Sequence, residues 1–155
     1  MMPFMNETGS EIDRELLAGI ALCRSGDWKR GLPLLAELAG KRSTLPGVAL
    51  SYLGYGMASQ RRQVRDGREL CRRAAASDFY QPEVLYNLAR VEHLANNRRE
   101  AVKALEAGLK LDPDHAGMLK LKKDVGVRKQ PVLGFLARGN FVNVLLGRLR
   151  HMFKS

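Results

Sequence analysis

The feature of this sequence that most constrains its fold is a residue pattern that recurs about every 34 residues. The clearest unit is the segment 82–115, which is 34 residues long. Its first half carries Leu85 and Ala89 at helical spacing, a polar turn follows, and its second half ends before Pro113, because proline cannot continue a helix. A period of this length is typical of helical hairpins that must stack on neighbouring hairpins to bury their apolar faces.

The same pattern occurs twice upstream. A shift of 35 residues aligns the first helix of the second unit with that of the third. Leu50 then matches Leu85, Leu53 matches Leu88, and Gly54 matches Ala89. The second helices align with a shift of 34, so one extra residue is expected in the turn of this unit, within 60–66. A further 35 residues back, Ala18 and Gly19 match Leu53 and Gly54. The periodicity therefore predicts three repeats, at about 12–46, 47–81 and 82–115.

Small residues recur where two antiparallel helices would approach closely, at Gly19, Gly31, Gly54, Gly67, Ala89 and Ala101. In this arrangement the sequence resembles the tetratricopeptide repeat (TPR) family, over about two thirds of the chain. The third unit matches strongly, whereas the first is degenerate, with Leu38 where the family has a small residue. The resemblance implies an all-α fold: a right-handed helical-hairpin solenoid of about three TPR-like repeats within residues 1–125, closed by a capping helix at 116–125.

The C-terminal segment 126–155 differs from the repeats in charge and pattern. Residues 116–155 hold 9 Lys and Arg against 1 Asp or Glu, while residues 1–115 are nearly neutral. Asn140 is placed to begin an amphipathic helix at 141–153 with apolar residues on one face. We expect this basic tail to pack on its own solenoid and cover part of its groove. A partner protein, a second copy of the chain or a membrane surface remain alternatives.

The sequence shows no signal for a membrane or for export. No apolar run approaches the ~20 residues that a membrane-spanning helix requires. The segment 1–7 has neither the basic start nor the apolar stretch of a signal peptide. We therefore expect the protein to be cytoplasmic.

The motifs of common catalytic sites do not occur. There is no phosphate-binding loop, dinucleotide fingerprint, zinc-protease motif or nucleophile elbow. The histidines His93, His115 and His151 lack metal-ligand spacing. Cys23 and Cys71 lie in helical patterns and are expected to be small buried hydrophobes. We expect no catalytic activity, no metal and no cofactor.

The resemblance also implies where a ligand would lie. Such arrays bind extended peptides on a concave face formed by the first helix of each repeat. Carried onto this sequence, the predicted partner-binding residues are Leu16, Ile20, Tyr52, Tyr55, Tyr86, Asn87, Arg90 and His93, with Leu17, Cys23 and Ser51 on the same face. The chaperone adaptors of the family clamp a terminal carboxylate with a set of polar residues of which only Asn87 is present here. The tail of a heat-shock chaperone is therefore not the expected ligand.

Two functions of different classes follow from these features. The leading one is a non-catalytic protein–protein interaction module, a scaffold or adaptor that binds an apolar or acidic peptide or helix of a partner. A homo-oligomer through the C-terminal helix is left open. The alternative is a regulatory protein whose basic tail binds nucleic acid or an anionic membrane. It is disfavoured because the tail lacks interleaved aromatics on its charged face. Salt dependence of binding would separate the two, because phosphate contacts weaken steeply with salt.

Overall fold

The computed structural model describes the backbone of residues 4–126 and the side chains of residues 11–126. This part of the chain forms helices and turns without a β-strand, which confirms the predicted all-α fold for these residues. The helices are α1 (Phe4–Arg24), α2 (Trp28–Lys41), α3 (Gly47–Gln60), α4 (Val64–Ser77), α5 (Pro82–Leu94), α6 (Arg98–Leu111) and α7 (Ala116–Gly126). The predicted tail helix at 141–153 lies outside the described residues.

The helices pack as three hairpins, α1–α2, α3–α4 and α5–α6, followed by α7. Every helix packs only against helices one or two places away in the chain. The first helices form a continuous series, with α1 against α3, α3 against α5, and α5 against α7. The second and third hairpins begin at Gly47 and Pro82, 35 residues apart as in the sequence pattern, whereas α1 begins at Phe4, well before the predicted start of the first repeat near residue 12.

The three hairpin turns share one backbone conformation. Each has three residues, and the middle one, Gly26, Arg62 or Asn96, has a positive φ. In the first and third turns the last N–H donates to the carbonyl five residues earlier, from Asp27 to Leu22 at 2.9 Å and from Asn97 to Glu92 at 2.8 Å.

The second turn shows where the extra residue of that hairpin lies. The N–H of Gln63 donates to the carbonyl of Met57, six residues earlier, at 3.1 Å. Helix α3 has 14 residues and α5 has 13. The inserted residue therefore lengthens the end of α3, and the turn itself keeps the length of the other two.

The recurring small residues bring the helices of a hairpin into close contact. A Cβ atom added to Gly54 would lie 2.6 Å from the carbonyl oxygen of Gly67, and one added to Gly31 would lie 2.9 Å from the backbone nitrogen of Cys23. In the third hairpin the corresponding Ala89 and Ala101 are fully buried. Larger side chains at these positions would force the helices apart.

The apolar core runs between the hairpins and continues to α7. Fully buried Leu35 and Leu38 fill the interior of the first hairpin, and Leu105 and Met118 join α6 to α7. Cys23 and Cys71 are buried and take part in no disulfide, as the sequence predicts. Burial raises the pKa of the Cys23 thiol to about 11 and that of Cys71 to about 12. Between residues 4 and 126 no helix combines the length and the apolar character needed to cross a membrane.

Candidate functional site

A row of aromatic side chains with one arginine crosses all three hairpins. Trp28 lies 5.3 Å from Tyr55 between ring centroids. The guanidinium carbon of Arg90 lies 3.4 Å from the ring centroid of Tyr55 and 5.0 Å from that of Tyr86. Tyr86 in turn lies 4.9 Å from the ring of His115. These five side chains, the aromatic row, are all partly buried, so each keeps some surface open to solvent.

Backbone features at both ends hold the aromatic row in position. Tyr86 and Arg90 are four residues apart on α5 and therefore share one face of that helix. A Cβ atom added to Gly117 would lie 2.7 Å from the hydroxyl oxygen of Tyr86, and one added to Gly56 would lie 3.3 Å from the ring of Trp28. Glycines thus make room for the two large rings at either end.

A chain of three hydrogen bonds, buried at its centre, fixes Arg90. Its Nη1 donates to Oδ1 of Asn87 at 3.0 Å. The amide nitrogen of Asn87 donates to the hydroxyl of Ser51 at 3.0 Å, and that hydroxyl donates to the carbonyl of Val48 at 2.8 Å. Asn87 and Ser51 are fully buried. The position of the guanidinium is therefore set by the packing of α3 against α5.

A second polar contact joins the first hairpin to the third. Nε and Nη2 of Arg24 donate to the two carboxylate oxygens of Glu83, each at 2.7 Å, and the hydroxyl of Tyr52 donates to the same carboxylate. Helices α1 and α5 do not otherwise pack on each other. Burial works against ionisation of Glu83, but the hydrogen bonds from Arg24 and Tyr52 outweigh it and lower its pKa. Burial, together with the hydrogen bond that the Tyr52 hydroxyl donates to Glu83, raises the pKa of Tyr52.

A third polar cluster surrounds Glu92, which is fully buried. Nε of Arg68 donates to its carboxylate at 2.9 and 3.1 Å, Nε of Arg72 at 2.8 Å, and Nδ2 of Asn97 at 2.9 Å. The carboxylate lies at an open pocket of about 330 Å³ that Leu88, Glu100, Lys103 and Ala104 also line. We call Glu92, Arg68, Arg72 and Asn97 the Glu92 cluster.

The structure brings together only part of the predicted binding face. Tyr55, Tyr86 and Arg90 meet at the aromatic row, and His93 is exposed beyond it on α5. Asn87 is fully buried and contributes by accepting a hydrogen bond from Arg90, so it offers no surface to a partner. Tyr52 is buried beneath the contact between Arg24 and Glu83.

The contribution of the first helix differs from the expectation. Leu16 and Ile20 are only 6% and 8% exposed and pack in the core of the first hairpin, so they offer almost no surface to a partner. Their neighbour Leu17 is 67% exposed instead. Cys23 and Ser51, which the resemblance also placed on this face, are buried.

Sequence reasoning missed two members of the aromatic row. Trp28 begins α2, and His115 lies in the turn before α7, so a face assembled only from first helices omits both. The presence of a single tryptophan in the chain was the available signal for Trp28. Neither Glu83 with Arg24 nor the Glu92 cluster has a sequence signal, because Arg24 is 59 residues from Glu83, and Arg68 and Arg72 are 24 and 20 residues from Glu92.

Among residues 4–126 no three His, Cys, Asp or Glu side chains are grouped to hold a metal ion. The raised pKa values keep both thiols protonated near neutral pH. The aromatic row instead offers ring faces and one positive charge.

No protein-family model matches this chain, and no curated protein matches it.

Proposed function

We propose that this protein is a non-catalytic interaction module of the TPR kind, a scaffold or adaptor that binds an extended segment of another protein on the aromatic row. The single observation that carries the proposal is the row itself, in which partly buried rings from three hairpins surround Arg90. Tyr, Trp and Arg are the residues that most often dominate binding energy at protein interfaces. Rings also give a large contact area at low entropic cost.

The arrangement of the helices supports a TPR-like solenoid within this proposal. Helices pack only on near neighbours in the chain, which is how stacked repeats bury a continuous core. Helix α7 supports the role of a capping helix, because its Met118 is fully buried and a Cβ atom added to Gly108 would lie 2.5 Å from the Met118 sulfur. The first helices then carry the centre of the aromatic row, while Trp28 at the start of α2 and His115 before α7 complete its two ends.

The proposal is tested with a phage-displayed library of random peptides selected on the wild-type protein. Selected peptides are then titrated against the double variant Tyr55→Ala/Tyr86→Ala. Loss of two binding anchors of about 2 kcal/mol each, about 4 kcal/mol together, predicts an affinity roughly 700-fold weaker. Circular dichroism and a thermal melt establish that the variant keeps its helical content.

The matched control removes two aromatic rings that lie off the row. Phe79 and Tyr80 are 68% and 57% exposed in the turn between α4 and α5. The variant Phe79→Ala/Tyr80→Ala should bind the selected peptides with wild-type affinity. If the control loses binding while the row variant keeps it, the ligand binds elsewhere and the proposed site is wrong.

A further inference from the structure

Arg90 differs from the other partly buried basic residues of the described chain. Within residues 11–126, three Lys or Arg residues are partly buried: Arg42, Arg68 and Arg90. Arg42 pairs with Asp13 at 3.0 Å, and Arg68 pairs with Glu92 at 2.9 Å. Arg90 forms no ion pair with any carboxylate in this range. It is therefore a half-buried charge whose neutralising partner is not supplied by residues 11–126.

The actual partners of Arg90 orient it without neutralising it. The ring of Tyr55 covers one face of the guanidinium, and the amide oxygen of Asn87 accepts from one terminal nitrogen. Within the described residues Nε and the other terminal nitrogen have no hydrogen-bond acceptor. A guanidinium that is partly removed from water and already fixed is a strong site for a carboxylate, which can accept two parallel hydrogen bonds from it.

We infer that the segment bound on the aromatic row presents the carboxylate of an Asp or Glu side chain to Arg90. The inference rests on the proposed function and adds the chemistry of the ligand. Rings on both sides of Arg90 favour apolar residues next to the acidic one, because Trp28 and Tyr86 flank the charged centre. The ligand is thus an acidic side chain between apolar neighbours.

The protein's own C-terminal tail does not fit this description. Residues 127–155 contain six Lys and Arg and no Asp or Glu. A tail folded over the aromatic row would bring more positive charge to Arg90 and no side-chain carboxylate to neutralise it. The tail therefore does not supply the acidic side chain, which we place on another protein.

The test uses the peptides selected from the random library on the wild-type protein. Each selected peptide is synthesised in pairs that differ only by Asp→Asn or Glu→Gln, and both members are titrated against wild type, Arg90→Gln and Arg90→Lys. On wild type the amide peptide should bind at least tenfold more weakly. On Arg90→Gln the two members should bind within twofold of each other. Arg90→Lys should retain part of the difference, because lysine keeps the charge but loses the planar fork.

Arg73→Gln is the matched control, since Arg73 is an exposed arginine on α4. It should keep the full difference between the acidic and the amide peptide. If Arg90→Gln does not fold, the inference is tested with Arg90→Lys, for which the affinity difference between the acidic and the amide peptide should be smaller than for wild type.

Three results would overturn the inference. Selected peptides without enriched acidic residues that still require Tyr55 and Tyr86 would contradict it and leave the proposed function standing. An acid-to-amide difference that is equal on wild type and Arg90→Gln would also contradict it. Peptides that bind the row variant as well as wild type would contradict the proposed function, and the inference with it.

Discussion

Two charged residues on α5 are paired very differently, and we propose that one serves folding and the other recognition. Glu92 is fully buried and accepts hydrogen bonds from Arg68, Arg72 and Asn97. Arg90 is half-buried and contacts only rings and an amide oxygen. A charged side chain that forms ion pairs inside the protein holds helices together, whereas one without an oppositely charged neighbour is available to pair with a ligand.

Helix geometry explains why residues so close in sequence act so differently. Two residues correspond to about 200° around a helix, so the two side chains leave α5 on opposite sides. Glu92 meets the two arginines of α4 and the turn before α6. Arg90 meets Tyr55 on α3, on the side where the first helices form a series. We expect substitutions at these two positions to separate stability from binding.

The largest effect is predicted for Glu92→Gln. Loss of the carboxylate leaves Arg68 and Arg72 close together without their shared counter-charge. Because the side chains of Arg68 and Arg72 are 32% and 45% exposed, solvent screens these pairs, and we expect a loss of about 2–3 kcal/mol, below the ~3–5 kcal/mol of a fully buried ion pair. Urea unfolding should show a decrease of this size in the free energy of unfolding, against less than about 0.5 kcal/mol for the exposed control Glu106→Gln. Equal unfolding curves for the two variants would mean that the Glu92 cluster does not hold the hairpins together.

An intermediate effect is predicted for Glu83→Gln. The side chain of Glu83 is partly exposed and that of Arg24 largely exposed, so solvent screens their ion pair. We therefore expect the free energy of unfolding to decrease by about 1 kcal/mol. The pKa of Glu83 is lower in the folded protein than in the unfolded chain. Its ionised carboxylate therefore stabilises the fold fully at pH values above the ordinary Glu pKa of about 4.3. This stabilisation is lost as the pH falls through the pKa that Glu83 has in the folded protein. The difference between wild type and Glu83→Gln should accordingly shrink as pH is lowered from 6 towards 3. A difference that grows towards acid pH would contradict this assignment.

The smallest effect on stability is predicted for Arg90→Gln. The variant loses a cation–π contact, which contributes about 0.5–2 kcal/mol, but it also relieves a half-buried charge that has no counter-ion within residues 11–126. The net change should be below about 1 kcal/mol in urea unfolding. A loss as large as that of Glu92→Gln would remove the contrast between the two residues and make Arg90 a structural element.

The sequence period predicted the helices because the residues that set it act locally. Gly54 and Gly67 are small where α3 and α4 touch, and Pro82 begins α5, so spacing alone places these elements. Tyr86 and Arg90 were correctly placed on one face, since four residues make about one helical turn.

What the sequence could not predict depends on neighbours that are distant in the chain. Leu16 and Leu17 are adjacent and both apolar, yet only the packing of α2 and α3 decides that Leu16 is buried and Leu17 exposed. Nothing in the sequence pattern indicates that Arg68 and Arg72 on α4 lie opposite Glu92 on α5. Pairing of this kind is invisible to periodicity.

The central claim is that a peptide binds on the aromatic row, and the single tryptophan of the chain provides its most direct test. Trp28 lies at one end of the row, 5.3 Å from Tyr55. A selected peptide without tryptophan is titrated while Trp28 fluorescence is recorded and its binding is followed independently by the anisotropy of a labelled copy. We predict a saturable change in Trp28 emission with the same midpoint as the anisotropy, shifted at least tenfold to higher peptide concentration in Arg90→Gln. Binding by anisotropy with unchanged Trp28 emission and an unshifted midpoint in Arg90→Gln would contradict the account.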